Sequence, residues 1–214
     1  MHDRQKIVSI DPVTPDPDCI VKAGKILRKN GIVIFPAKCL YGVGANALDE
    51  TAIKKVFHLK QRPWNSPVLI LIRDRKMLQT LVTSISRQAD KLMDAFWPGN
   101  ITLVFKAKKH ISELLTAGTC KIGIRIPAHP VAKALVELLN FPITGTSANL
   151  SGKGGCNQID QLSPALIEHA DLVLDAGRLK GGMGSTIVDV TTSPVVIIRE
   201  GEVTATQINK ILGI

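Results

Sequence analysis

The chain reads as an α/β protein: a single domain over residues 1–214, built on a twisted, mixed parallel and antiparallel sheet with flanking helices. Three features predict this. Short β-branched runs alternate with amphipathic helical stretches along most of the sequence. Some strands follow one another too closely for a crossover helix, as at 186–190 and 195–199, which argues against a purely parallel sheet. Apolar residues make up 45% of 214 positions, enough for a sizeable core and too much for a disordered chain.

Residues 1–15 carry little pattern beyond a short strand at Lys6 to Ile10. Asp16-Pro17 supplies a capping carboxylate and a first-turn proline; Ile20, Ala23, Ile26 and Leu27 then form a helical stripe that Asn30-Gly31 stops. Gly31 to Pro36 is a buried strand running into a tight loop, Ala37-Lys38-Cys39-Leu40-Tyr41-Gly42-Val43-Gly44, of the kind in which function usually resides. Asp49 caps a helix with Ala52, Ile53, Val56 and Phe57 inward, closing on Lys60-Gln61-Arg62-Pro63. Pro63 pushes Arg62 toward extended backbone. If Lys60 to Arg62 is extended, their ammonium and guanidinium face one spot, and an anion site is outlined.

Pro67 to Ile72 is a continuous apolar run, the mark of a strand buried on both faces. Helices follow at 74–82 and, from a Ser86 cap, 87–96. A Trp97-Pro98-Gly99-Asn100 turn leads into a strand at Ile101 to Lys106. Ile122 to Ile126 is a strand, Pro130 opens a helix, and Phe141 to Asn149 is a short strand breaking into a small-residue loop. A helix near Pro164 to His169, strands at 172–175, 186–190 and 195–199, and a helix from Thr206 complete the chain.

The net charge of +9 biases partners toward anions, while the scattered basic residues lack the block of a nucleic-acid tail. Cys19, Cys39, Cys120 and Cys156 match no zinc spacing and read as free thiols of a reducing cytosol. No metal-ligating set is assigned. The longest apolar run, Val68 to Ile72, is far too short to cross a bilayer, so no membrane partner is expected.

Polar clusters stand at strand ends: Lys60 with Arg62, Arg125, Ser147 with Asn149, and Ser185 with Arg199 beyond it. Ligands bind at such ends in open α/β sheets. Ser147 lacks the Gly-x-Ser-x-Gly elbow of a nucleophile, and with Asn149 is better suited to hydrogen-bonding phosphate or sugar oxygens. Neither a dinucleotide fingerprint nor a P-loop ending occurs. The residues by themselves therefore indicate an anion-binding α/β protein, with solvated surface pairs as the alternative.

The motifs together resemble the YrdC-like family of threonylcarbamoyl-AMP synthases. The likeness rests on Phe35-Pro36 with Tyr41-Gly42-Val43-Gly44-Ala45, Lys60-Gln61-Arg62-Pro63, Trp97-Pro98-Gly99, Arg125-Ile126-Pro127, Ser147-Ala148-Asn149, Ser185-Thr186-Ile187-Val188-Asp189 and Arg199-Glu200-Gly201. The resemblance implies a large basic cleft in which a nucleotidyltransferase joins L-threonine, bicarbonate and ATP, with Mg²⁺, and releases pyrophosphate. Lys60 and Arg62 would be catalytic. Those two, Ser66, Ser147, Asn149, Asn157 and Arg199 would hold ATP, and Ala37, Arg125, Ser147 and Ser185 the threonine or its carbamate. A downstream tRNA threonylcarbamoyltransferase and contact with tRNA or double-stranded RNA are implied partners. Two positions depart from the family pattern: Ala37-Lys38-Cys39 replaces its common Thr-Glu/Asp-Thr, and Leu71 stands where many members carry histidine. Both fall where the amino acid is expected. A nucleotide- or RNA-binding paralogue with no or different amino-acid specificity is the alternative reading.

Overall fold

The computed structural model describes residues 6–213. Strand β1 (Ile7–Ser9) leads to α1 (Pro17–Arg28), whose Asp16 cap accepts a hydrogen bond from the Asp18 N–H. Then come β2 (Val33–Pro36), β3 (Tyr41–Gly44) and α2 (Glu50–Lys60), capped by Asp49 accepting from Ala52 N–H. Strand β4 is only Ile70–Leu71, the middle of the apolar run. Next are α3 (Arg75–Leu81), α4 (Arg87–Phe96), β5 (Ile101–Lys106), α5 (Glu113–Thr116) and β6 (Lys121–Arg125). The chain continues through α6 (Pro130–Leu138), β7 (Ile143–Thr144), β8 (Thr146–Ser147) and α7 (Pro164–His169), then β9 (Leu172–Asp175), β10 (Thr186–Asp189), β11 (Val196–Arg199) and α8 (Ala205–Leu212).

The expected mixture of parallel and antiparallel pairs is present, but it divides between two sheets instead of forming one. The first has the order β1-β9-β2-β3-β8 and the second β11-β10-β5-β6-β4-β7. Within the second, β10 runs parallel to β5 while β5 and β6 are antiparallel. The chain passes between sheets at Gly145, between β7 and β8. A Cβ there would come within 2.7 Å of Leu69 and 2.8 Å of Leu71, so only glycine lets the two sheets meet so closely.

The sheets differ in how they are covered. Residues of α1 and α6 pack with Val33, Phe35, Leu172 and Leu174 on one face of the first sheet, and α2 and α7 pack with Ile34, Val43 and Val173 on the other. That sheet is wrapped on both sides. In the second, Ile101, Leu103, Phe105, Ile122, Ile124 and Val188 pack with α3, α4 and α8. Side chains alternate along a strand, so Thr102, Val104, Lys121, Gly123, Arg125, Ile187 and Asp189 point to the opposite face. Among the described residues no helix covers them; they line a cavity.

Candidate active site

The cavity holds about 770 Å³, within the range that admits a nucleotide-sized ligand. Its floor is the uncovered face of β5, β6 and β10. Its walls come from the β2–β3 loop, the Arg62–Leu69 segment, the Gly145–Ser147 switch and the loop before β10. Six cations line it: Lys38, Arg62, Lys121, Arg125, Lys153 and Arg199. Two are paired with carboxylates, Lys121 with Asp189 at 2.7 Å and Lys38 with Glu202. The other four have no carboxylate partner among the described residues.

Arg125 is the most exacting of these. It is 7% exposed, and its Nε is buried without a hydrogen-bond partner. Burial lowers its pKa to about 10, so it stays charged at neutral pH. A desolvated guanidinium facing a cavity, with its Nε unpartnered within the protein, is a ready partner for a carboxylate. Beside it, the Thr102 and Ser185 hydroxyls are hydrogen-bonded at 2.8 Å, and Arg199 Nη2 donates to the Ser185 carbonyl at 2.7 Å.

Lys60 does something different from what its sequence position suggests. It ends α2 and is 1% exposed; Gln61 follows in the left-handed region (φ 49°, ψ 44°), so Lys60 to Arg62 is a helix C-cap and not the extended stretch expected. The local reason is that Gln61 and Arg62 N–H groups turn back to the carbonyls of His58 and Phe57, satisfying helix-end acceptors. The Lys60 ammonium donates to the carbonyls of Ser147 and Asn149 and to Asn149 Oδ1. Burial, then the Arg62 charge, lowers its pKa to about 7. Arg62 reaches the cavity wall, where its Nε and Nη2 donate to the carbonyls of Ser66 and Pro67 at 3.2 and 2.7 Å. Burial lowers its pKa as well.

Of the residues singled out from sequence, Ala37, Arg62, Arg125, Ser147, Ser185 and Arg199 come together on the cavity wall. Lys60, Ser66, Asn149 and Asn157 are not on it. Asn149 braces the loop behind Ser147, accepting from the Ser147 hydroxyl and donating to the carbonyls of Leu150 and Lys153. Asn157 ties to Leu179 through Nδ2 to its carbonyl at 3.2 Å. Sequence reasoning noted Lys38 only as part of the Ala37-Lys38-Cys39 departure and Thr102 only as part of a motif, and it missed Lys121, Lys153 and Glu202. The period of two in Lys121, Gly123 and Arg125 was the available signal for the floor; for Glu202 there was none.

Glu202 is held in place by its neighbours. Gly201 packs so tightly that a Cβ would lie 2.5 Å from the Gly184 carbonyl oxygen, and the Thr186 hydroxyl bonds the backbone of both Gly201 and Val203. From there the carboxylate accepts from Lys38 Nζ, Cys39 Sγ and Asn100 Nδ2. Burial opposes its ionisation, but the Cys39 thiol and the Lys38 ammonium outweigh that and hold the pKa below the ordinary glutamate value. Among the described residues no three His, Cys, Asp or Glu side chains gather as a metal site, and no helix is long and apolar enough to cross a membrane.

Residues 25–201 match the Sua5/YciO/YrdC family, described as telomere recombination. The chain belongs to this family. It is 35% identical over 191 residues to a threonylcarbamoyl-AMP synthase of Pyrococcus abyssi, covering 89% of this chain and 56% of that protein. The structure of P. abyssi Sua5 complexed with L-threonine superposes with a TM-score of 0.92 at 33% identity, over 97% of this chain and 61% of that one. The crystal structure of Escherichia coli YciO gives 0.82 at 29% identity, over 92% and 95%. The chain thus spans little more than half the length of the P. abyssi synthase and nearly all of YciO.

Proposed function

We propose that this Sua5/YciO/YrdC protein is a threonylcarbamoyl-AMP synthase, a nucleotidyltransferase that joins L-threonine, bicarbonate and ATP into threonylcarbamoyl-adenylate and releases pyrophosphate. The observation that carries the reading is the set of four cations without a carboxylate partner among the described residues, Arg62, Arg125, Lys153 and Arg199, facing one cavity. Similarity to the P. abyssi synthase supports the choice of substrates.

The chemistry needs no protein nucleophile. The amine of threonine captures bicarbonate with loss of water, giving a carbamate. A carbamate oxygen then attacks the α-phosphorus in line; the new P–O bond forms as the bond to the β-phosphate oxygen breaks, and pyrophosphate leaves. Two anions must be aligned and the charge on the phosphoryl oxygens stabilised, tasks that positioning and fixed cations perform. In this proposal Arg125 holds the threonine carboxylate with Ser185 and Ala37 beside it, and Arg62 and Arg199 hold the phosphates, with Ser147, whose hydroxyl donates to Asn149, on the wall near them. Lys60 and Asn149 act through the Ser147 loop they brace, while Ser66 and Asn157 fix the backbone around it. Both carboxylates near the site are engaged by lysines, so Mg²⁺ enters with ATP as part of the substrate, held by phosphate oxygens.

The same reading puts the protein in the cytoplasm and passes its product to a transferase that modifies an adenosine of tRNA. Contact of the basic cavity mouth with tRNA or double-stranded RNA accords with the net charge of +9. Pyrophosphate release that requires ATP, bicarbonate and threonine together tests the assignment, with Arg62→Ala expected to lower turnover by about a hundredfold or more. ATP use indifferent to threonine and bicarbonate, or wild-type rates in Arg62→Ala, would refute it.

A further inference from the structure

The wall beside Arg125 is aliphatic. In the parallel pairing of β4 with β6, Leu71 stands directly next to Arg125, and side chains in register point to the same face. Leu69 follows on that face, close enough to Gly123 that a Cβ there would lie 3.3 Å from its own. Leu69 and Leu71 fill the space that Gly145 leaves open, and the surface continues through Gly42 to the methyl group of Ala37, 3.1 Å from where a Gly42 Cβ would be. Leu69, Gly123, Gly145, Gly42 and Ala37 all line the cavity.

Apart from the Arg125 guanidinium, which the α-carboxylate takes, most of the side-chain polar groups that border this wall already have partners within the protein. Lys38 and Cys39 turn to Glu202, Thr102 pairs with Ser185, and Ser147 donates to Asn149. Among the described lining residues only Thr146 keeps a hydroxyl with no hydrogen-bond partner, and that oxygen is reached by solvent instead of being sealed in. Water can therefore satisfy it when a ligand does not. Discrimination by a hydroxyl-reading site, on the order of 10⁴-fold or more, comes from polar groups left buried and unpaired by the analogue that lacks the hydroxyl. An apolar wall separates hydroxyl from methyl by only about a hundredfold.

We infer that the amino-acid subsite grips the α-carboxylate through Arg125 but does not read the side-chain hydroxyl, so that small aliphatic L-amino acids, valine foremost, are substrates alongside threonine. Lys38 and Glu202 are part of this specificity, because their pairing withdraws the loop's one charged group from the ligand. The inference rests on the adenylation reading above and deepens it.

The test is pyrophosphate release by the wild-type chain from ATP and bicarbonate with L-threonine, L-valine or no amino acid, followed by the same panel with Ala37→Thr. The expected result is a kcat/KM for valine within about a hundredfold of that for threonine. Ala37→Thr, which hangs a hydroxyl on the wall, should raise the threonine-to-valine ratio tenfold or more. A wild-type gap wider than a hundredfold, or a ratio unmoved by Ala37→Thr, overturns the inference and leaves the synthase reading standing. Release with neither amino acid removes both.

Discussion

Lys60 offers a measurement that separates a buried anchor from a surface cation. Its pKa falls from 10.5 to about 7, chiefly through burial and then through the Arg62 charge. The unfolded chain keeps this proton up to about pH 10.5 and the folded chain only to about pH 7, so between those limits the unfolded state binds more protons and stability rises with pH. Each pH unit in that window is worth about 1.4 kcal/mol, which gives a gain of about 3 kcal/mol between pH 7 and pH 9.5 once partial titration at pH 7 is counted. The Ser147 and Asn149 carbonyls and Asn149 Oδ1 favour the ammonium, so this figure is a ceiling. Lys60→Met keeps the length and removes the titration, at the cost of about 1–3 kcal/mol for each buried acceptor it strands. Urea unfolding of both proteins at the two pH values should show wild type gaining up to about 3 kcal/mol more than the variant. Parallel pH profiles would refute the account, because they would mean that the Lys60 amine titrates as it does in water.

Three further outcomes follow from the same geometry. Arg125→Met removes a desolvated guanidinium with an unsatisfied Nε, so urea unfolding should show stability unchanged or increased, while threonine-dependent pyrophosphate release falls about a hundredfold or more. Gly201→Ala places a Cβ 2.5 Å from the Gly184 carbonyl oxygen and 2.7 Å from Ser185 C and Thr186 N, all backbone atoms; it should lower the unfolding free energy by about 3 kcal/mol, read by denaturant titration. Thr204→Ala breaks the capping box with Gln207 at the start of α8 and should cost about 1 kcal/mol with turnover unaltered, since that cap is exposed and away from the cavity.

Local chemistry was legible wherever it depends on neighbours in sequence. Asp16, Asp49 and Ser86 announce their helices because a cap acts within three residues, and Val33 to Pro36 announces a buried strand by its β-branched run. What could not be read is what depends on distant segments. Two sheets instead of one follow from Gly145, whose meaning lies in the approach of Leu69 and Leu71 some seventy positions earlier in the chain. The left-handed Gln61 was hidden because Pro63 speaks only about Arg62, whereas the helix-end carbonyls decide Gln61. Glu202 carries no signal of its own, since its role comes from Lys38, Cys39 and Asn100 reaching it across the cavity.

The two sheets divide stability from function. The first is covered on both faces by α1, α6, α2 and α7; the second is covered on one face, and its open face carries Arg125 and the Lys121–Asp189 pair. An uncovered sheet face with a guanidinium whose Nε is buried without a hydrogen-bond partner is unfavourable, and the apolar burial elsewhere offsets it. A ligand carboxylate at Arg125, as proposed above, would offset that cost by supplying the partner that its Nε lacks. Substitutions should therefore fall into two groups with opposite signatures. Changes on the open face, such as Arg125→Met, lose activity and spare or raise stability. Changes where backbone segments close on one another, such as Gly201→Ala, lose stability first and activity only because the wall that Glu202 holds is displaced.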